Sequence, residues 1–339
     1  MLFTGIPGNI LNMKVHIPNS AFLGNINSFV LNIDPTDSAT LQITTNPMWM
    51  SIHPVVLAMI AALGKPLKST TITCDDILAS SGHYLKRMGL FDFLNIHPKV
   101  KDIEEHEPSG RIIPLTQIKS SDELEDFLKN LVPLLHLQTK PKYAQAIQHI
   151  FSELIRNVLE HAYSSHGAIV CAQYFKKTNR IAIGVADTGI GLKKALSYSH
   201  PVTDNLRAIQ LALTPGITGT TSRPGGTEQN AGFGLFLIKS IALASLDFFI
   251  ILSGDKMYKL LKRRTKKKKP IKRLQLNNDP LEDRHSILTV PPWQGVVVGV
   301  DISLDQTGEF NLLLDAIHEF YIRDVKGKKK ERYKKPKFI

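Results

Sequence analysis

The stretch FSELIRNVLEHA, residues 151–162, sets Glu153 and Asn157 four residues apart. On a helix this spacing stacks a carboxylate and a carboxamide on one face, one turn apart. Leu154, Ile155, Val158 and Leu159 fall at helical spacing and face a core. A carboxylate can orient or deprotonate water. A carboxamide oxygen can ligate a hard divalent cation without adding charge. Two glycine-bearing segments follow. VADTGIG carries Asp187, Gly189 and Gly191 directly after a strand-like run, and NAGFGL carries Gly232 and Gly234 directly before a helix-like one. Amides exposed at a helix N-terminus favour phosphate, because the helix dipole is positive there. Taken singly, each segment also has a plain structural reading: a solvated helix edge, a tight turn, a close helix contact.

The elements that must position these residues are readable from periodicity. A helix spans roughly 142–163. GAIVCAQYF and RIAIGVAD are strands joined by the polar turn KKTN, which predicts a hairpin. A helix opens at Gly234, the strands LDFFIIL and VVVGVDISL follow, and EFNLLLDAIHEFYI is a last helix. Ahead of all this, KVHI, FVLNI, ATLQITT and KSTTITC read as strands. SIHPVVLAMIAALG and ASSGHYLKRMGLFDFL read as helices, the second broken near Gly89. Strand–helix alternation predicts an α/β (α+β) chain. The expected division is a small α/β domain over 1–105, a linker and helix over 106–141, a larger domain over 142–325 and a basic tail over 326–339.

The order of the three segments is more specific than any one of them. An acid–amide helix, a hairpin, D-T-G-I-G, a loop of about 40 residues and G-F-G-L opening a helix resemble the ATPase fold shared by gyrase, the ninety-kilodalton heat-shock chaperone, histidine kinases and MutL proteins. The wording ELIRNVLEHAY is most similar to the anti-sigma-factor serine kinases. The resemblance covers about residues 140–305 and implies a Bergerat-type α/β sandwich with a mixed sheet. It also implies ATP and Mg as cofactors. Asn157 would hold the metal, and Glu153 would act on water or an acceptor at the γ-phosphate. Asp187 would accept from the adenine amino group, with Gly189 and Gly191 close to the base. Gly232 and Gly234 would bare amides to phosphate. Thr218, Thr220, Thr221 and Arg223 lie in LTPGITGTTSRPGGTEQNAG, which the resemblance makes a lid, and Thr218 is the candidate contact there. One departure is plain. A late strand of this family often carries Gly-Thr, and here Val296 follows Gly295.

Residues 38–97 resemble, more faintly, the STAS domain of anti-sigma-factor antagonists, with Ser51 near that family's phosphorylation site. The usual Asp-Ser-x-Gly context is missing, and Ser51 reads better as a helix cap. HLQTKP, residues 136–141, copies the spacing of a histidine-kinase phosphoacceptor. It begins only 17 residues before Glu153, which leaves no room for a dimerisation hairpin.

Charge and composition bound the remaining classes. The 339 residues carry a net +12, but KRRTKKKKPIKR (262–273) and KGKKKERYKKPK (326–337) contribute +9 and +7, so the remainder is −4. The body is therefore no general polyanion binder, and the two Lys-rich tracts are candidate nucleic-acid contacts through phosphate alone, since aromatics are scarce there. The first tract sits in an insertion near 255–285. The apolar stretch 233–253 is long enough for a membrane span, but Lys239 and Asp247 interrupt it, so helix then strand is expected and no membrane. Cys74 and Cys171 form no metal or disulfide framework, in keeping with a cytoplasmic protein. A regulatory protein partner follows from the resemblance, and a homodimer is compatible with it.

Overall fold

The computed structural model describes residues 13–33, 39–101, 111–134, 141–222, 232–262, 276–304 and 310–332. His136, Arg223, the basic insertion beyond Lys262 and the tail beyond Arg332 lie outside the described residues. The chain is α/β. Its first part runs β1 (Met13–Ile17), β2 (Ser20–Ala21), α1 (Asn27–Val30), β3 (Leu41–Thr45), β4 (Ser51–Ile52), α2 (Pro54–Gly64), β5 (Ile72–Cys74), α3 (His83–Arg87) and α4 (Leu90–Leu94). Its second part runs β6 (Ile112–Ile118), α5 (Ser121–Leu134), α6 (Pro141–His161), β7 (Ala168–Phe175), β8 (Arg180–Ala186), α7 (Gly191–Ser197), α8 (Asn205–Ala212), α9 (Gly234–Ala244), β9 (Phe249–Leu260), β10 (His285–Ser303) and α10 (Phe310–Arg332).

β1, β3 and β5 form a parallel sheet in that order. The larger sheet has the order β6-β7-β8-β10-β9, and every neighbouring pair is antiparallel. The expected mixed sheet is thus corrected. β8 and β9 run the same way, as a helical crossover requires, but β10 folds back from β9 and inserts between them. Strand β6 is one edge of this sheet, inside the span expected to be a linker. α5 continues the same unit, its Phe127 ring lying 5.3 Å from that of Phe151 on α6. FVLNI is also corrected: its first residues end α1. A run of four or five apolar residues reads equally well as either element.

The sheet is buried on both faces. Val170, Ala172, Ile181, Ile183 and Val185 face a core shared with α5, α6, α9 and α10. Ile169, Cys171, Ile250, Leu252 and Val297 face a second core, which they share with α2 and the rest of the first part. This alternation explains why the strands read as unbroken apolar runs. The core of the first part is continuous with this face of the larger sheet across the expected boundary at residue 105. All eleven residues of α2 are buried. Its first turn lies in a trough of small side chains, where Cys171, Gly184 and Gly299 sit side by side across β7, β8 and β10. A Cβ on Gly184 would lie 2.3 Å from the backbone of Val55. The Cys171 thiol donates to the Pro54 carbonyl at 3.1 Å.

His53, and not Ser51, caps α2. Its Nδ1 accepts from Val55 N at 3.1 Å, which leaves the ring proton on Nε2, 3.6 Å from the Asp301 carboxylate of β10. Ser51 lies in β4 with its amide on the Asn19 carbonyl. The apolar stretch 233–253 divides into α9 and the start of β9, turning at Leu246 with φ +56°. Both of its charges are buried and paired: Lys239 with Asp283, and Asp247 with Arg180 at 2.7 Å and with the Ser303 amide. Among the described residues no helix is long and apolar enough to cross a membrane.

Gly184→Ala drives a methyl into backbone that has no free direction to move. It should lower stability by about 2–3 kcal/mol or more, measured as a reduced urea midpoint. An unchanged midpoint would show that α2 does not bear on β8.

Candidate functional site

One cleft collects the three segments singled out in the sequence. Its floor is α6, which buries Ile150, Phe151, Leu154, Ile155 and Val158 and turns Glu153, Asn157 and His161 into the cleft at one-turn intervals. The end of β8 with α7 forms one wall, through Asp187, Gly191 and Leu192. The start of α9 with the segment before it forms the other, through Ile217, Thr218, Gly232, Phe233 and Gly234. Val185, Val296 and Val298 close the back with apolar surface.

Asp187 is 1% exposed. Three contacts fix its position. Its amide donates to the Val296 carbonyl at 3.0 Å, its carbonyl accepts from Trp293 Nε1 at 3.0 Å, and its Oδ1 accepts from the Gly189 amide at 2.7 Å. Oδ2 is buried without a hydrogen-bond partner among the described residues. Burial raises the carboxyl pKa to about 7, against the Gly189 and Val296 backbone bonds that lower it. Desolvation outweighs them because it disfavours the charged form directly. Asn157 is half-buried, and its Nδ2 is likewise unpartnered among the described residues. The two ends of a carboxamide exchange by a half-turn, so the side chain can present oxygen or nitrogen to a ligand.

The glycines have distinct reasons. A Cβ on Gly234 would lie 2.3 Å from Glu153 Oε2. The absent side chain is what lets this carboxylate rest against the first turn of α9, where no side chain caps the helix. Gly232 has φ +65° and packs on Ile217, and its carbonyl accepts from the Gly216 amide at 3.0 Å. Gly191 has φ +74° and lines the cleft. Gly189 is required by the end of α6: a Cβ there would lie 2.1 Å from the Ala162 carbonyl. Thr218 is 6% exposed, with its Oγ1 3.1 Å from that of Thr220 and its carbonyl bound by His200 at 2.8 Å.

The expected forty-residue loop is corrected. Its first half carries α7 and α8, and beyond Leu213 no helix precedes α9 among the described residues. Sequence reading also missed contributors. His161 was visible one turn beyond Asn157 and went unread. Ser253 carried no local signal. It sits opposite Val296 in the β9–β10 register, with its Oγ donating to the Gly295 carbonyl at 2.8 Å and accepting from the Leu192 amide at 3.0 Å. Cys74 and Cys171 are free thiols remote from the cleft lining. The chain matches no known family model, and no curated protein matches it.

Asp187 gives the site a pH-dependent cost. Its folded pKa lies above the unfolded value, so the cost that Asp187 adds is absent below about pH 4 and grows as pH rises toward 7. Raising a pKa by one pH unit is worth about 1.4 kcal/mol. Asp187→Asn should therefore be more stable than wild type by about 2–4 kcal/mol at pH 8, and the advantage should vanish near pH 4. Thermal unfolding across pH tests this; a difference independent of pH would mean that the carboxylate is not desolvated.

Proposed function

We propose that this chain binds ATP with Mg in the cleft, on the ATPase fold that gyrase, the ninety-kilodalton heat-shock chaperone, histidine kinases and MutL share, and uses it as a slow ATPase or, like the anti-sigma-factor serine kinases, as a protein serine/threonine kinase in the service of a regulatory protein partner. One observation carries this reading. A single cleft has an unpartnered, buried carboxylate oxygen at one end and, at the other, an acid laid against an uncapped helix N-terminus. The first is chemistry for a neutral amino donor on a flat base, and the apolar walls Val185, Val296 and Val298 suit the base itself. The second is chemistry for phosphate with a reacting water or hydroxyl beside it.

The residues fit the implied metal and nucleotide. Asn157 has an amide end free to serve as a neutral ligand midway along the cleft, and Mg takes its other ligands from phosphates and water. When bound, the ion neutralises phosphate charge during transfer. Asp187 selects the base through Oδ2 while Gly189 holds Oδ1. The α9 amides at Gly234 and Leu235 bind phosphate. Glu153 holds the proton of the attacking water or hydroxyl, its orientation fixed by contact with Gly234. The two free thiols suit a cytoplasmic setting.

Glu153→Ala should cut phosphate release by roughly 10²–10⁴-fold while ATP affinity stays within a few-fold of wild type. Equal release at background by both proteins, with ATP still bound, would leave a nucleotide-gated interaction module in place of an enzyme. Base recognition has its own signature. The adenine amino group favours ionised Asp187, so affinity should be full above pH 7 and fall up to tenfold for each pH unit below it. Calorimetric titration with adenosine between pH 5.5 and 8.5 tests this without the titration of the phosphates. A flat profile would remove Asp187 from base recognition.

A further inference from the structure

The cleft is lined by more negative charge than positive. Glu153, Glu160 and Asp187 are its carboxylates, and Arg156 is the single ammonium or guanidinium among the described lining residues. A polyphosphate entering such a cleft is repelled by the acids, and water screens that repulsion poorly once the cleft is filled. The α9 amides offset part of it through partial charges. Arg156 is the one full and permanent charge of the right sign that these residues supply.

Its place along α6 fixes which part of a nucleotide it can meet. The base end of the cleft lies at the last turn of α6, where the Ala162 carbonyl accepts from the Ile190 amide, close to Asp187. The other end lies at Glu153, against Gly234. Arg156 is six residues before Ala162, about 9 Å along the helix axis, which is the reach from a purine to the outer phosphates. On the helix surface Arg156 neighbours Glu153, three residues before it, and Glu160, four residues after it. It pairs with neither. Glu160 lies 3.9 Å from His161 Nε2 instead, and no carboxylate holds Arg156 among the described residues. The side chain is exposed at the rim, so its guanidinium can turn over the cleft.

We propose that Arg156 contacts the terminal phosphate and makes the cleft favour a nucleoside triphosphate over the diphosphate. This inference rests on the ATP-binding reading and names the residue that sets its phosphate specificity. In that reading the terminal phosphate lies beside Glu153, within one turn of Arg156. A guanidinium can hold two phosphate oxygens at once, which gives the contact direction as well as charge. A diphosphate lacks the group that Arg156 reaches. The contact is also lost when the phosphoryl group leaves, so product is held less tightly than substrate.

The test is calorimetric titration of the full-length protein with ADP and with a non-hydrolysable ATP analogue, both with Mg. Wild type should prefer the analogue. Arg156→Gln should weaken the analogue about tenfold, as expected for loss of one charge-assisted hydrogen bond, with ADP affinity within about twofold of wild type. Arg156→Lys should recover part of the loss, because it keeps the charge without the planar fork. Lys177→Gln removes the same charge from the turn between β7 and β8, at the end of β8 away from Asp187, and should bind both ligands as wild type does. An equal loss for both ligands in Arg156→Gln, or no loss for either, overturns the phosphate contact and leaves the nucleotide reading standing. Failure of the wild type to bind either ligand overturns the nucleotide reading and this inference with it.

Discussion

The structure is organised around the burial of one carboxylate. Asp187 ends β8 with one oxygen satisfied by its own turn and the other without a partner, among the described residues, in an apolar wall. An arrangement that costs several kcal/mol persists only if its surroundings cannot relax toward it. Each neighbour contributes a constraint. Trp293 and Val296 hold the Asp187 backbone from β10. Gly295, at φ +101°, admits that backbone with no room for a side chain. The Ala162 carbonyl at the end of α6 pins the turn by accepting from the Ile190 amide at 2.8 Å. The carboxylate cannot swing to water without breaking several of these contacts at once.

The buried ion pairs perform the same work farther out. Lys239 lies on the buried side of α9, the helix whose first turn meets Glu153, and its desolvated ammonium is held by Asp283. Burial lowers the Lys239 pKa, and Asp283 opposes that shift. Asp283 also accepts from Asn277, and Asp279 nearby takes the Gln210 amide of α8. One short stretch after the basic insertion thus joins α8 to α9. Buried pairs are weak sources of net stability, but breaking one strands a charge. Their value here is registry: they fix where α8 and α9 sit along the sheet, and with them two walls of the cleft.

What could be read from the sequence follows how local each feature is. Glu153, Asn157, Asp187, Gly232 and Gly234 were legible because each belongs to a short segment whose own helix or turn presents it. The hairpin β7–β8 was legible for the same reason. Ser253 and Trp293 were not, because their roles depend on the β9–β10 register with its irregular step between Thr289 and Val296. Strand order is equally non-local, so the insertion of β10 between β8 and β9, and with it the antiparallel sheet, left no trace in periodicity. α2 did carry a signal that went unread. PVVLAMIAALG is apolar around its whole circumference, which marks a helix buried on every side and not one on a small domain's surface.

That helix decides how the two parts of the chain relate. A fully buried Val, Leu, Ile or Met side chain is worth about 1.5–3 kcal/mol. Val55, Val56, Leu57, Met59, Ile60 and Leu63 are all buried in α2, between their own sheet and the back of the larger one. If only a third of that burial faces the larger sheet, lifting α2 away costs several kcal/mol before the bared strands are counted. The strands add Ile169, Ile250, Leu252 and Val297, which would then face water. A total of this size approaches the roughly 5–15 kcal/mol that holds a whole domain folded. The first part is therefore packed on the larger sheet through a continuous core. Its α2 rests on Gly184, three residues before Asp187, and the N-terminal residues are as much a part of the cleft's rigid frame as the strand that carries the carboxylate.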